Sequence, residues 1–304
     1  MKKSTISLAA KAIVVLLIVV QSLMFLPAHT GITNKAYAEG KRIVATWLWN
    51  TYSIWKEKDK TLDFLAHKGV NLLYLQIDED IPAGIYSTFI SEAASRGIDV
   101  HALSGDPSWV LPEQSGKLYH FIDWVNTYNN SVKPTERFNG IHLDVEPYVL
   151  PQWRSDPDTT IGLWRDLVSG FVQQVRADTH LTVGADLPVW LNKVSIQDGY
   201  GGKTTLSNWM IQKLDQVSLM AYLDNAIDII KSVSNEMDEA EKAGTPVVIG
   251  VETFNNNEPH SSFYTKGNSQ MQSELSAVVQ AFSSKSVFTG YAVHEYESWS
   301  TLKE

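Results

Sequence analysis

Eight short runs rich in β-branched and aliphatic residues recur along the chain, and each gives way to a longer stretch of helical periodicity. They begin at Arg42 (RIVATWLW), Asn71 (NLLYLQID), Ile98 (IDVHALS), Gly140 (GIHLDVE), Leu181 (LTVGADL), Gln216 (QVSLMAYL), Pro246 (PVVIGVE) and Phe288 (FTGYAVHEY). Turn chemistry introduces them, as at Lys68-Gly69, Arg96-Gly97 and Ala243-Gly244. The segments between are amphipathic, for example Ile161 to Arg176 and Ala226 to Lys242. Strand and helix alternating for the whole length predict an α/β fold with a parallel sheet. Eight repeats predict its closure into a single eight-stranded (β/α)8 TIM barrel. After Tyr296 only Glu297 to Glu304 remain, room for about two helical turns.

The chain opens Met1-Lys2-Lys3, runs through apolar residues from Ala12 to Leu26, and reaches Ala36-Tyr37-Ala38. That is the form of a secretory signal peptide, so residues 1–38 are expected to be removed and 39–304 to be the barrel catalytic domain. An uncleaved signal serving as a membrane anchor is the alternative. Removal of 1–38 takes away four lysines and no acid, moving the formal charge from −9 to −13. An acidic chain is a poor partner for nucleic acid or anionic membranes. With no cysteine, the exported protein has no disulfide and no lipoprotein anchor. A monomer outside the cell, or at its surface, is expected.

On the fourth run, Ile141, Leu143 and Val145 fall on one face and His142, Asp144 and Glu146 on the other. A half-exposed strand ordinarily carries Thr, Lys or Ser on its wet side. Carboxylates in a row are there to be paired or used. In a barrel the carboxyl ends of the strands share one rim, where active sites form. In order, the runs deliver to it Trp47, Trp49 and Asn50; Gln76 and Asp78; Asp106 with Trp109; Asp144 and Glu146; Asp186; Met220 and Tyr222; Glu252; and Glu295 or Tyr296 with Trp299. Asp106 and Asp224 are expected as helix N-caps.

Two carboxyl groups with separated pKa values suit cleavage of a glycosidic bond, in which one protonates the leaving oxygen and the other stabilises positive charge at the sugar carbon. Residues two apart on a strand lie about 6.6 Å apart, so Asp144 and Glu146 could serve one sugar. His142, one step deeper, would tune Asp144, and crowded negative charge would raise the pKa of Glu146. Tryptophans beside strand ends, namely Trp47, Trp49, Trp109, Trp153, Trp190 and Trp299, suit the flat faces of pyranose rings. Trp124, Trp164 and Trp209 sit in helical patterns and are expected in the core.

The string Asn139-Gly140-Ile141-His142-Leu143-Asp144-Val145-Glu146 resembles the fourth-strand signature D-G-x-D-x-D-x-E of glycoside hydrolase family 18, the chitinases and endo-β-N-acetylglucosaminidases. Met220-Ala221-Tyr222 is similar to that family's sixth-strand M-x-Y, and Trp299 to the tryptophan ending its eighth strand. The resemblance implies a substrate-assisted retaining mechanism on N-acetylglucosamine polymers of the chitin or peptidoglycan type. Glu146 would be the acid/base, Asp144 would stabilise the oxazolinium, and Tyr222 would bind the acetamido group. His142, Asn139, Asp186 and Glu252 would support them, and Trp47, Trp49, Asp78, Trp109, Met220 and Trp299 would bind substrate, with no metal or cofactor. The sequence departs from the family where Asn139 and His142 replace aspartates and Leu223 follows the tyrosine.

Other readings stay open at this stage. Glu146-Pro147 with Glu252 is similar to barrel glycosidases that use a strand-four acid/base and a strand-seven nucleophile, although their Asn before the acid is Val145 here. A barrel that binds glycan without cutting it is the non-enzymatic alternative. A metal hydrolase is disfavoured, since His142 and Glu146 would lie about 13 Å apart on a regular strand.

Overall fold

The computed structural model describes residues 42–304, so the expected signal peptide lies outside the described residues. In chain order come β1 (Ile43–Leu48), β2 (Leu72–Gln76), β3 (Asp99–Ser104), β4 (Gly140–Leu143) and β5 (Thr182–Pro188). A hairpin of β6 (Ser195–Gln197) and β7 (Lys203–Thr205) follows, then β8 (Gln216–Met220), β9 (Val247–Glu252) and β10 (Phe288–His294). All but the hairpin pair in parallel and close into a barrel, with β10 joining β1 at Ile43–Gly290 through Thr46–Val293. Each of the eight runs seen in the sequence is a barrel strand. No helix among the described residues is long and apolar enough to cross a membrane.

The helices begin and end where local chemistry dictates. Asp156 accepts a hydrogen bond from the Thr159 amide ahead of Pro157, launching the helix Pro157–Asp178. Asn225 caps Ala226–Ala243 in the same way, and Gly244 ends it with a φ of 74°, a left-handed conformation that favours glycine. The final helix is short, Tyr296–Ser300.

Two cores result from the strand period of two. Ile141, Leu143 and Val145 join the large apolar layer between sheet and helices, whereas Trp47, Tyr74, Leu103 and Ala292 fill the barrel interior. That interior is unusually polar. It houses His101 and His142, and glycines make the space: a Cβ on Gly140 would stand 2.5 Å from the His101 ring, and one on Gly184 2.6 Å from His142 Nδ1. At the amino-end rim one device recurs three times. Asn71, Asn139 and Asp215, each just before a strand, accept from the amides of Val44, Val100 and Val183 on the neighbouring strand, at 3.0, 3.1 and 3.0 Å. These bonds pin the register of the parallel ladder where it begins.

Candidate active site

Asp144 lies immediately past β4, and its amide donates to the Ser104 carbonyl at 3.1 Å, extending the ladder by one residue. Only glycine fits opposite, because a Cβ on Gly105 would meet the Asp144 carbonyl oxygen at 1.7 Å. The Asp144 Oδ1 is shielded from solvent and has no hydrogen-bond partner. Burial, then the charges of Asp186 and Glu146, push its pKa well above the usual carboxylate range.

Glu146 follows on the same face, with Pro147 opening a 3-10 turn directly after it. The Tyr148 hydroxyl donates to Glu146 Oε1 at 2.5 Å. Burial raises the Glu146 pKa and this hydrogen bond opposes the rise, while Asp186 adds to it and His294 subtracts. Tyr148 is held by tryptophans, with the Trp190 ring centroid at 5.0 Å, Trp164 at 6.2 Å and Trp153 at 6.3 Å. Its own pKa is driven up, by burial first and then by Glu146, so the phenol stays a donor.

Beneath this pair, His142 is fully buried, its ring centroid 4.1 Å from that of Tyr74 with the planes tilted by 33°. Its Nε2 lies 3.1 Å from Asp186 Oδ1 but off the line of a hydrogen bond, so the contact is one of charge and dipole. The other oxygen of Asp186 accepts from the Trp47 indole N–H at 3.0 Å. Tyr222 follows β8. Burial, and the negative charges of Asp186, Asp144, Glu252 and Glu146, raise its pKa well above the ordinary phenol value.

Glu252, at the end of β9, is spoken for on both oxygens. Oε1 accepts from the Thr253 and Phe254 amides at 2.7 and 2.6 Å, and Oε2 meets His294 Nδ1 at 2.9 Å. His294 Nε2 in turn accepts from Trp49 Nε1 at 3.1 Å, an arrangement that assigns the imidazole proton to Nδ1. Beside Trp49 opens a cavity of about 470 Å³ lined by Asn50, Tyr52, Gln76 and Asp78, a size typical of small-ligand sites.

The expected residues therefore divide. Asp144, Glu146, Tyr222, His142 and Asp186 come together, and Glu252 joins them through His294. Trp49 and Asp78 line a cavity formed after β1 and β2 whose lining includes neither Asp144 nor Glu146, and Met220 ends β8 beside Gly250. Trp47 is 1% exposed with its N–H committed to Asp186, so it is a floor of the site and offers no face to a sugar. Trp109 is buried in the 3-10 turn Pro107–Val110 against Phe121. Trp299 turns away on the last helix, buried edge-on to Phe64 at 5.5 Å; the eighth strand ends in His294 instead. Asn139 belongs to the amino-end rim, at the opposite end of β4 from the acids.

Asp106 is an N-cap as expected, accepting from the Ser108 amide, but Asp224 is not. Asn225 takes that place, and Asp224 pairs with Lys266 at 3.0 Å. Two site residues escaped the sequence: His294, which shares strand parity with Ala292 and so faces inward, and Tyr148, two places after Glu146.

The chain matches no protein-family model and no curated protein. Its fold does match solved structures. A family GH18 chitinase from Cycas revoluta, solved with (GlcNAc)3, is 13% identical with a TM-score of 0.51, over 84% of this chain and 95% of that one. A chitinase from Bacteroides thetaiotaomicron is 9% identical with a TM-score of 0.58, over 84% and 90%. The exo-β-1,4-mannosidase Op5Man5 from an Opitutaceae bacterium is 14% identical with a TM-score of 0.55, over 83% and 51%. At these identities the likeness is one of fold: a (β/α)8 barrel of the architecture found in family 18 chitinases and a mannosidase.

Proposed function

We propose that the protein is a secreted glycoside hydrolase of the family 18 kind, cleaving β-linked N-acetylglucosamine-containing glycans of the chitin or peptidoglycan type with retention of configuration. The observation that carries this is the pairing of Asp144 and Glu146, adjacent on the strand-end face, both with raised pKa values and both acting by charge on the buried Tyr222 phenol. Glu146, raised by burial, holds its proton to higher pH than an ordinary carboxyl and can give it to the glycosidic oxygen. The acetamido carbonyl of the substrate then attacks the anomeric carbon, displacing the leaving sugar and forming an oxazolinium. Asp144, buried beside Asp186, orients the acetamido group and, by giving up its proton towards Asp186, stabilises the cation as it forms. Tyr222 stays protonated and donates to the acetamido oxygen. Glu146, now a carboxylate, activates the water that opens the ring.

His142 stands where the resembling family has an aspartate, so in this chain Asp186 takes over the charge beside Asp144, steadied by His142 and Trp47. The rival in which Glu252 attacks directly is disfavoured by its hydrogen bonds, which leave neither oxygen free. Export through residues 1–38 and action as a monomer belong to the same proposal. The test is release of new reducing ends from N-acetylglucosamine oligomers and purified peptidoglycan. Glu146→Gln is expected to lose activity by about 10²–10⁴-fold. Binding by wild type without cleavage would instead mark a lectin-like barrel.

A further inference from the structure

Away from the acids, a groove of about 360 Å³ separates the helix Pro157–Asp178 from the hairpin of β6 and β7. A chain of net charge −9 presents cations there, Arg165 from the helix and Lys203 from β7. Neither forms an ion pair among the described residues, although Asp158 lines the same groove. The Arg165 guanidinium lies over the Trp209 ring, with Cζ 4.9 Å from the centroid, so its place is fixed. Its Nε is shielded from solvent and has no hydrogen-bond partner. An acceptor near such a group relieves a destabilised state, and a carboxylate does so best. The hairpin wall is firm as well. Thr205 Oγ1 and Ser207 Oγ donate to the two oxygens of Glu239 at 2.6 and 2.5 Å, tying the hairpin's end to the helix Ala226–Ala243. All of β6 lines the groove, and its sheet holds only β7 besides, so one edge of β6 is open to an extended chain.

From this combination we infer that the groove is an exosite for a short carboxylate-bearing peptide, of the kind that branches from peptidoglycan strands. The inference rests on the hydrolase reading and makes the peptide-bearing polymer, rather than chitin, its preferred substrate. Each part of such a peptide has a counterpart. Its carboxylate meets Arg165 and Lys203, its backbone meets the open edge of β6, and its small side chains meet Ile161 and Ile196. An ammonium or amide N–H meets Asp158. An uncharged glycan would leave both cations without use. The position fits a branch rather than the sugar being cut, because the helix follows β4 and the hairpin follows β5. Trp190, shortly before the hairpin, packs 5.0 Å from Tyr148, whose hydroxyl donates to Glu146. The groove thus stands behind that aromatic wall of the candidate site.

The test uses full-length protein carrying Glu146→Gln, so that binding is read without cleavage. It is sedimented with purified peptidoglycan, with the same glycan after an amidase has removed the peptides, and with chitin powder. Retention on the intact polymer is expected to be about tenfold tighter than on the stripped one, an advantage that shrinks as salt is added. Arg165→Gln together with Lys203→Gln is expected to erase the advantage and leave retention on stripped glycan and chitin unchanged. Should that variant melt early, Gly162→Leu replaces it. A Cβ at Gly162 would meet nothing within 4 Å, so the new side chain fills the groove with both cations kept, and the advantage is expected to fall likewise. Equal retention on intact and stripped glycan, or variants that bind as the parent does, overturns the inference. So does displacement by free acetate or phosphate as effective as that by a short peptide with a free carboxyl end, which would mark a patch for any anion. Cleavage by wild type with no peptide-dependent retention sinks the exosite alone. Peptide-dependent retention with no cleavage of any glycan sinks the hydrolase reading alone.

Discussion

Tyr148 and Glu146 form the shortest polar contact around the candidate site at 2.5 Å, and its direction matters more than its length. A neutral phenol donating to a carboxylate favours the charged form, so Tyr148 restrains the rise that burial imposes on Glu146. Its removal lets the Glu146 pKa climb further. Tyr148→Phe is therefore expected to shift the basic limb of the kcat profile to higher pH, as Glu146 holds its proton longer, and to slow turnover by about tenfold as the carboxyl loses its anchor. A limb that stays in place would show that Glu146 is not the group titrating. At this scale the inward row His142, Asp144 and Glu146 was legible, because a period of two sorts it from Ile141, Leu143 and Val145 without knowledge of any partner. His294 was not, because what gives it a place is Glu252 on the neighbouring strand and Trp49 after β1, residues 42 and 245 positions away.

The elements were read more completely than the residues on them. A barrel strand needs only an apolar run and a turn, and glycines with positive φ at positions 69, 97 and 244 stand where the chain leaves one helix for the next strand. The hairpin of β6 and β7 was illegible, since Ser195–Gln197 and Lys203–Thr205 are three-residue strands with no apolar alternation to speak of. Tryptophans were misread for a related reason: a strand-end position does not reveal which way a large ring turns. Trp299 turns inward, wedging the last helix against Phe64 and donating to Asn268 Oδ1 at 3.3 Å. Trp299→Ala is expected to destabilise the fold by about 3–5 kcal/mol, measured as a lower urea midpoint, with the KM for oligomers unchanged. A raised KM at full stability would return Trp299 to the substrate.

For the molecule as a whole, the buried ionisable groups set a pH at which it is most stable. Asp144 and Glu146 are raised, Glu236 to about 7 and Glu297 to about 8, chiefly by burial. The folded chain thus keeps protons that the unfolded chain has released, so stability falls as pH rises from about 4.5 towards 8. His101 works the other way. Burial lowers it from 6.5 to about 3, so the unfolded chain gains a proton first and stability falls as pH drops below about 6.5. Asp106 and Asp224, lowered by their partners, add to the loss in acid. The melting temperature is expected to peak on the mildly acidic side, at about pH 5–6, and a maximum above pH 8 would contradict this balance.

The proposed catalysis by Asp144 and Glu146 through the substrate's own acetamido group would fix the stereochemistry of the product, since two displacements at one carbon restore the starting configuration. Proton NMR of the first product released from a β-linked N-acetylglucosamine oligomer reads that outcome directly. The expected signal is the β-anomer, growing before mutarotation and absent with Glu146→Gln. An α-anomer appearing first, or no product from the wild-type protein, would contradict it.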